Sequence, residues 1–130
     1  MAESNEDLVR KGYGAFSSGD MGTLAEVLSP DVVQHVAGNN LLSGDHKGRD
    51  AVFAMYGQLM ELTGGTLRVQ PDSVRADGDD RVVAHHTGTG DRNGKHLAVG
   101  QTLIFTIRDG QAVDIEQTSD DQAAEDKFWS

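Results

Sequence analysis

Apolar residues recur at helical intervals in the first half of the chain and at strand-like intervals in the second half. Val9, Tyr13 and Phe16 repeat every three or four residues, which places them on one face of a helix. Ser4 and Asp7 have the spacing of a capping box, so this helix is predicted to begin at Ser4. The chain therefore opens with an amphipathic helix.

A short second helix and a strand are predicted next. Asp20 caps the helix, and Pro30 is expected to stop it. Residues 32–37 have the composition of a strand, whereas residues 38–47 carry glycine and asparagine and are predicted to form a loop.

A third helix is predicted over residues 49–63. Tyr56 and Leu59 lie on its apolar face, and Gly64-Gly65 supplies its C-terminal stop. From Thr66 onward the apolar period changes to about two, which is typical of strands.

Three turn dipeptides divide this second half into four predicted strands. Asp77-Gly78, Asn93-Gly94 and Asp109-Gly110 favour the positive φ angles of tight hairpins, so the strands are expected to form an antiparallel meander. Pro71 indicates a bulge or an edge position, because proline cannot donate to a ladder. A short helix near residues 122–128 closes the chain.

Composition limits the classes of function. A length of 130 residues favours one domain, over residues 1–130. The chain has no cysteine, which excludes disulfides and thiolate metal sites. A formal charge of −10 disfavours binding to nucleic acid or to an anionic membrane surface. The sequence shows neither a signal peptide nor a long apolar run, so the expected compartment is the cytoplasm.

Several short motifs, distributed over nearly the whole chain, resemble those of one superfamily. They are YGAFSSGD at 13–20, DVVQHVAG at 31–38, LSG at 42–44, GRDAV at 48–52, FTIRDG at 105–110 and DKFW at 126–129. Together they resemble the SnoaL-like and ketosteroid-isomerase-like superfamily, which has the nuclear-transport-factor-type fold. The resemblance implies a cone-shaped α+β barrel. Three N-terminal helices would pack in a curved, mostly antiparallel sheet, followed by a short C-terminal helix.

The same resemblance implies catalytic positions. Ketosteroid isomerase uses a carboxylate base, with a tyrosine and a protonated aspartic acid as oxyanion donors. That pattern puts His35 at the position of the base, with Tyr56 and His86 binding the developing enolate oxygen. A neutral imidazole, with an ordinary pKa of ~6.5, suits proton transfer near neutrality. The alternative interpretation is structural: these side chains would shape the core without turnover.

A further set of residues is expected to contact substrate. Leu103 falls where the isomerase carries its acidic donor, and a leucine side chain donates no hydrogen bond, which argues against true steroid isomerase chemistry. His85 is expected to face outward, because neighbouring residues of a strand point to opposite sides. The predicted substrate-binding residues are Tyr13, Phe53, Leu59, Gln101, Leu103 and Gln117.

The leading functional hypothesis is a cofactor-independent cyclase or isomerase that acts by general acid–base chemistry on a hydrophobic, polyketide- or steroid-like carbonyl compound. The first alternative is a non-catalytic ligand-binding or dimeric scaffold domain. A weaker alternative is an epoxide hydrolase with an Asp-Arg-Asp arrangement. No metal is expected, because the histidines lack paired ligand spacing. A homodimer is expected through the outer sheet face, which would present Thr102, Ile104 and Thr106.

Overall fold

The computed structural model describes residues 4–130. The expectation that the chain begins without a targeting segment depends partly on residues 1–3, which lie outside the described part. The elements in chain order are α1 (Asn5–Ser18), α2 (Met21–Val27), β1 (Leu28–Val36), β2 (Gly44–Lys47), α3 (Arg49–Leu62), β3 (Arg68–Asp77), β4 (Arg81–Arg92), β5 (Lys95–Arg108), β6 (Gln111–Ser119) and α4 (Gln122–Phe128).

The strands form one curved, unclosed sheet in the order β2-β1-β6-β5-β4-β3. β1 runs parallel to β6, and the other neighbouring pairs of described strands are antiparallel. Three helices precede the meander of β3 to β6, and α4 follows it. The predicted α+β cone with a mostly antiparallel sheet is confirmed.

Local sequence signals set the boundaries of α1. The Ser4 hydroxyl oxygen accepts a hydrogen bond from the Asp7 backbone N–H at 3.1 Å, which is the predicted N-cap. Gly19 ends the helix at a φ of 73°, in the left-handed region that glycine favours. Asp20 then caps α2 by accepting from the backbone N–H of Thr23.

Two predicted boundaries are wrong. α2 ends at Val27, before Pro30, because β1 already begins at Leu28. Pro30 lies in the irregular segment of β1 between Leu28 and Val33, where a missing N–H breaks no ladder bond. The predicted loop contains the four-residue strand β2, which pairs with β1. Its sequence, GDHK, has no apolar alternation by which a strand could be recognised.

The three predicted hairpins form, and two of the three dipeptides have the expected pair of positive φ angles; at Asp77-Gly78 only the glycine does, because Asp77 still belongs to β3. Asn93 and Gly94 have φ angles of 50° and 78°, and Asp109 and Gly110 have 51° and 75°. Two consecutive positive φ angles are the mark of the type I′ turn. Pro71 lies on the edge strand β3, and the pairing register shifts between Pro71 and Ser73. The prediction of a bulge or edge is thus met on both counts.

The core lies between the helices and the concave face of the sheet. Val32, Val52, Val82 and Ile115 are almost completely buried there. Burial alternates strictly along most of β4, where His86 shares the inward face with its apolar neighbours. Within residues 4–130, no helix combines the length and the apolar character needed to cross a bilayer.

α4 is attached to the loop that follows β1 through Asp126. One carboxylate oxygen of Asp126 accepts from the Asn39 backbone N–H at 2.9 Å, from the Asn40 amide at 2.8 Å and from the Gln122 amide at 3.0 Å. These donors, the Asn39 N–H first, hold the pKa of Asp126 below its ordinary value. Gly38 allows this approach, because an added Cβ there would lie 2.6 Å from the Asp126 oxygen.

We expect Gly38→Ala to lower the free energy of unfolding by about 1–3 kcal/mol, since it combines an unfavourable φ with loss of the Asp126 contacts. Gly38 has a φ of 98°, and an added Cβ would also collide with the Gln122 side-chain amide. Urea denaturation followed by circular dichroism measures the change.

The matched control is Gly57→Ala in α3, where an added Cβ meets nothing within 4 Å. Alanine in a helix interior is favoured over glycine by about 1 kcal/mol, so this variant should be at least as stable as the parent. Equal stability of the two variants would contradict the role assigned to Gly38.

Candidate functional site

A cavity of about 120 Å³ lies between the helices and the inner face of the sheet. An engineered cavity of ~150 Å³ in another protein holds a benzene molecule, so this one has the scale of a single ring. Most of its wall is apolar, with contributions from α2, α3 and the sheet. Apolar wall residues include Val27, Leu28, Met55, Leu59, Leu103 and Phe105.

One chain of polar side chains, which we call the relay, crosses the cavity wall from α1 to α4. The Tyr13 hydroxyl lies 2.7 Å from Nδ1 of His86, and Nε2 of His86 lies 2.6 Å from Oε1 of Gln101. The Gln101 amide in turn donates to a carboxylate oxygen of Glu125. All four residues line the cavity.

The partners of His86 define its tautomer. Gln101 offers a carbonyl oxygen, an acceptor, so Nε2 of His86 carries the hydrogen. Nδ1 is then an acceptor and receives the Tyr13 O–H. Burial lowers the pKa of His86 and therefore favours the neutral imidazole. Burial also raises the pKa of Tyr13, so the phenol keeps its proton.

Glu125 is the buried carboxyl at the end of the relay, with only 6% of its surface exposed. Burial raises its pKa above the ordinary value of 4.5. Sequence reasoning missed this residue. The available signal was helical spacing: Phe128 and Trp129 follow Glu125 by three and four residues, which places all three on the buried face of α4.

A second set of polar side chains, which we call the amide cluster, consists of Gln34, Tyr56 and Gln117. The Tyr56 hydroxyl donates to Oε1 of Gln34 at 2.8 Å, and the Gln34 amide donates to Oε1 of Gln117 at 2.8 Å. Within residues 4–130, no protein acceptor takes the amide hydrogens of Gln117, whose side chain lines the cavity. Gln34, which is 2% exposed, was not predicted as a site residue.

The prediction that His35 faces the cavity is wrong. Nδ1 of His35 lies 2.7 Å from Asp45, Nε2 lies 2.8 Å from Asp114, and 38% of the side chain is exposed. Alternation along β1 explains the error, since Val32 and Gln34 occupy the inner face and His35 therefore lies on the outer one. The predicted position was wrong by one residue along β1, and in a strand an offset of one residue moves a side chain to the opposite face.

Of the other predicted site residues, all but Phe53 line the cavity. Tyr56 and His86 line the cavity, as do Tyr13, Leu59, Gln101, Leu103 and Gln117. Phe53 does not: its half-buried ring packs against the core away from the cavity wall, so its predicted contact with substrate is wrong. His85 faces outward as expected, and it bridges Asp72 and Asp120 at 2.9 and 2.8 Å.

The wall does not provide the Asp-Arg-Asp arrangement of an epoxide hydrolase. Among the described residues that line the cavity, Glu125 supplies the carboxyl group and arginine is absent. No group of three His, Cys, Asp or Glu side chains within residues 4–130 is arranged to hold a metal ion. The relay and the amide cluster hold the carboxyl, imidazole and phenol groups of this wall; its other polar residues, Asn40, Thr118, Ser119 and Gln122, are uncharged.

A family model and several known proteins match this chain over most of its length. The sequence model of the SnoaL-like domain matches residues 9–115. An uncharacterized protein of Mycobacterium tuberculosis is 31% identical over 128 residues, which is 98% of each chain. The structure of Bal32a, from a soil-derived mobile gene cassette, is 40% identical with a TM-score of 0.95, covering 97% of this chain and 96% of that one. A Xanthomonas campestris protein of unknown function, with a cystatin-like fold, is 34% identical with a TM-score of 0.92, covering 98% and 99%.

Histidines on opposite faces of the sheet should titrate in opposite directions from the ordinary pKa of 6.5. Aspartate partners raise the pKa of His35 and His85, Asp45 and Asp120 contributing most, whereas burial lowers the pKa of His86. An NMR titration of the imidazole signals measures all three. A value for His86 above that of His35 would contradict the assigned faces.

The raised pKa values also have a consequence for stability. A histidine whose pKa is higher in the folded state stabilises the fold fully below 6.5 and loses that contribution as pH rises through the folded-state value. The melting temperature of the unmodified protein should therefore fall as pH rises from 6.5 through the folded-state pKa values of His35 and His85. His35→Gln should show a smaller fall, because it lacks one of the two titrating groups.

Proposed function

This chain belongs to the SnoaL-like domain family, and we propose that it is a cofactor-independent enzyme that moves a proton on a compact, neutral, hydrophobic carbonyl compound. The product would be an isomer or a cyclised form of the substrate. The observation that carries the proposal is the hydrogen-bonded series Tyr13, His86, Gln101 and Glu125 on the wall of a mostly apolar cavity.

The relay supports removal of a proton from the carbon next to the carbonyl. The Tyr13 oxygen accepts that proton while its own proton passes to Nδ1 of His86, 2.7 Å away. The substrate becomes an enolate and His86 an imidazolium. The Gln101 carbonyl and the Glu125 carboxylate stabilise this cation, since both lie on the Nε2 side of the ring.

The amide cluster supports stabilisation of the enolate oxygen. The Gln117 amide has hydrogens to donate, because no acceptor within residues 4–130 takes them; the hydrogen bond from Gln34 to its oxygen fixes which end of the amide is the donor. Tyr56 acts as a positioning residue, since its hydroxyl bonds Gln34 rather than pointing at a ligand. Return of the proton to a different carbon completes an isomerisation. Attack of the enolate carbon on a second carbonyl completes a cyclisation.

The wall also supports a substrate class. It carries a carboxyl group and, among the residues described, neither lysine nor arginine, so an anionic ligand would enter without a counter-charge. Neutral compounds with one ring suit both this polarity and the volume of about 120 Å³. A fused steroid nucleus would require the cavity to expand.

The second candidate function is binding without turnover, in a ligand carrier or a dimeric scaffold. Leu103 supports it, since the acid of the isomerase pattern is absent. Internal satisfaction of the relay supports it as well, because each of its side chains already has a protein partner. A homodimer through the outer face of β5, where Thr102, Ile104 and Thr106 are half-buried, is part of either proposal.

We expect the protein to catalyse hydrogen–deuterium exchange next to the carbonyl of small cyclic ketones in heavy water, because exchange requires only the first step. His86→Ala should lower the rate by about 10²–10⁴-fold, as expected when one proton-transfer group is removed. Tyr13→Phe should cause a loss of similar size. Proton NMR of the ketone follows the reaction without knowledge of the natural product.

Tyr56→Phe is the matched control, since it removes the same hydroxyl group from the same cavity but leaves the relay complete. Its loss should be smaller than that of Tyr13→Phe. Binding of the ketones without exchange would favour the second candidate. Equal rates in the parent and His86→Ala would rule out the proposed base.

A further inference from the structure

Three of the four relay members can reverse their hydrogen bonds without moving their backbone. A tyrosine hydroxyl both donates and accepts, a neutral imidazole has two tautomers, and a glutamine amide can exchange its N and O by a half-turn. An ionised carboxylate only accepts. The direction of all the hydrogen bonds in the relay is therefore set by Glu125.

We propose that the protonation state of Glu125 decides whether the Tyr13 hydroxyl acts as an acceptor or as a donor toward a ligand in the cavity. This inference rests on the proposed function in one respect, since it describes how pH would regulate the same site. It concerns the direction of hydrogen bonds and does not require turnover.

With Glu125 ionised, every bond runs toward the carboxylate. Gln101 donates to Glu125, His86 donates from Nε2 to the Gln101 oxygen, and Tyr13 donates to Nδ1 of His86. The Tyr13 proton then lies in the hydrogen bond to His86, and the Tyr13 oxygen is available in the cavity as an acceptor. This is the arrangement that the structure shows and that proton removal from a substrate requires.

With Glu125 protonated, each step reverses. The carboxylic acid donates to the Gln101 oxygen after the amide turns, and the Gln101 amide then donates to Nε2 of His86. His86 adopts the Nδ1–H tautomer and donates to the Tyr13 oxygen. The Tyr13 hydroxyl becomes free to donate to a ligand carbonyl. Solvent supplies one proton, and no other group changes its charge.

The surroundings favour a change at Glu125 rather than at His86. Hydrogen bonds from Ser119, Gln101 and Trp129 lower the pKa of Glu125, each by less than burial raises it. Asp126 on α4 disfavours a second negative charge. Burial opposes charge on both Glu125 and His86. It raises the pKa of Glu125 and lowers that of His86, so both shifts favour a proton on the carboxyl group at the expense of the imidazole.

The groups facing His86 do not alter this order. Tyr13 from α1 and Gln101 from β5 contact its ring and are neutral. The Gln101 hydrogen bond raises the pKa of His86, as does Asp72 on the other face of the sheet, whereas His85 lowers it; each effect is smaller than that of burial. We therefore expect His86 to stay neutral while Glu125 titrates.

NMR of the ¹⁵N-labelled imidazole rings tests the proposal in the intact protein. At pH 8 we expect His86 in the Nε2–H form. As pH falls, the proton should move to Nδ1, with the same midpoint as the change in the Glu125 carboxyl ¹³C shift. Retention of Nε2–H through the Glu125 titration would overturn the proposal. Protons on both nitrogens would do so too, because His86 would then be the group that titrates.

Glu125→Met gives a second measurement, since it removes the acceptor that fixes the direction. We expect the Nδ1–H form of His86 to appear at pH 8. The control is Glu116→Gln, which removes one negative charge from an exposed position on β6 and should leave the Nε2–H form unchanged. A pure Nε2–H signal in a folded Glu125→Met protein would argue against the proposal. If that variant fails to fold, the titration of the parent decides.

Ligand binding provides a test that is independent of catalysis. Phenol needs an acceptor and cyclohexanone needs a donor, and both have one ring. Lowering the pH through the Glu125 titration should shift the ratio of their affinities by about tenfold toward cyclohexanone, the size of one net hydrogen bond. Glu116→Gln should show the same shift as the parent. A constant ratio would overturn the inference, whereas absence of ketone exchange would affect the proposed function alone.

Discussion

A carboxyl group buried in an apolar cavity must be hydrogen-bonded, and this requirement connects the end of the chain to the sheet. Glu125 meets it through Gln101, with Ser119 and Trp129 as further donors, and the same helix holds the loop after β1 through Asp126. α4 therefore completes the cavity wall and also anchors the segment beside it. Because Gln101 has to satisfy Glu125 with its amide, its oxygen is left for His86, and the tautomer of His86 follows. The need to hydrogen-bond Glu125, near the C-terminus, thus determines which nitrogen of His86 carries the hydrogen.

The two faces of the sheet give the same side chain opposite properties. His85 and His86 are adjacent on β4, yet the first lies between two aspartates at the surface and the second lies in the cavity wall. Aspartate partners raise the pKa of His85, whereas burial lowers that of His86. Strand alternation alone separates these environments. The outer histidines are therefore expected to make stability depend on pH, and the inner one is the group that the proposed proton transfer uses.

Local signals were sufficient to predict most of the fold, and distant contacts were decisive for the site. The Ser4 cap, the Asn93-Gly94 turn and the Pro71 bulge each depend on a few neighbouring residues, and each was predicted correctly. β2 was missed because its four residues pair only through β1. His35 was misassigned because its face depends on the register of β1 against β6, which the local sequence does not encode. Glu125 acquires its role from Gln101, 24 residues away.

Leu103 replaces the acidic donor of the isomerase pattern, yet the cavity wall still carries two sets of polar side chains, the relay and the amide cluster. It lies two positions from Gln101 on β5 and directly opposite Gln117 on β6, so it occupies the junction between the relay and the amide cluster. An acid at this position would hydrogen-bond to either set and merge the two. The apolar side chain keeps them apart. In the proposed function Tyr13 and Gln117 then have separate hydrogen-bonding roles, and we expect a ligand that lies over Leu103 to connect them.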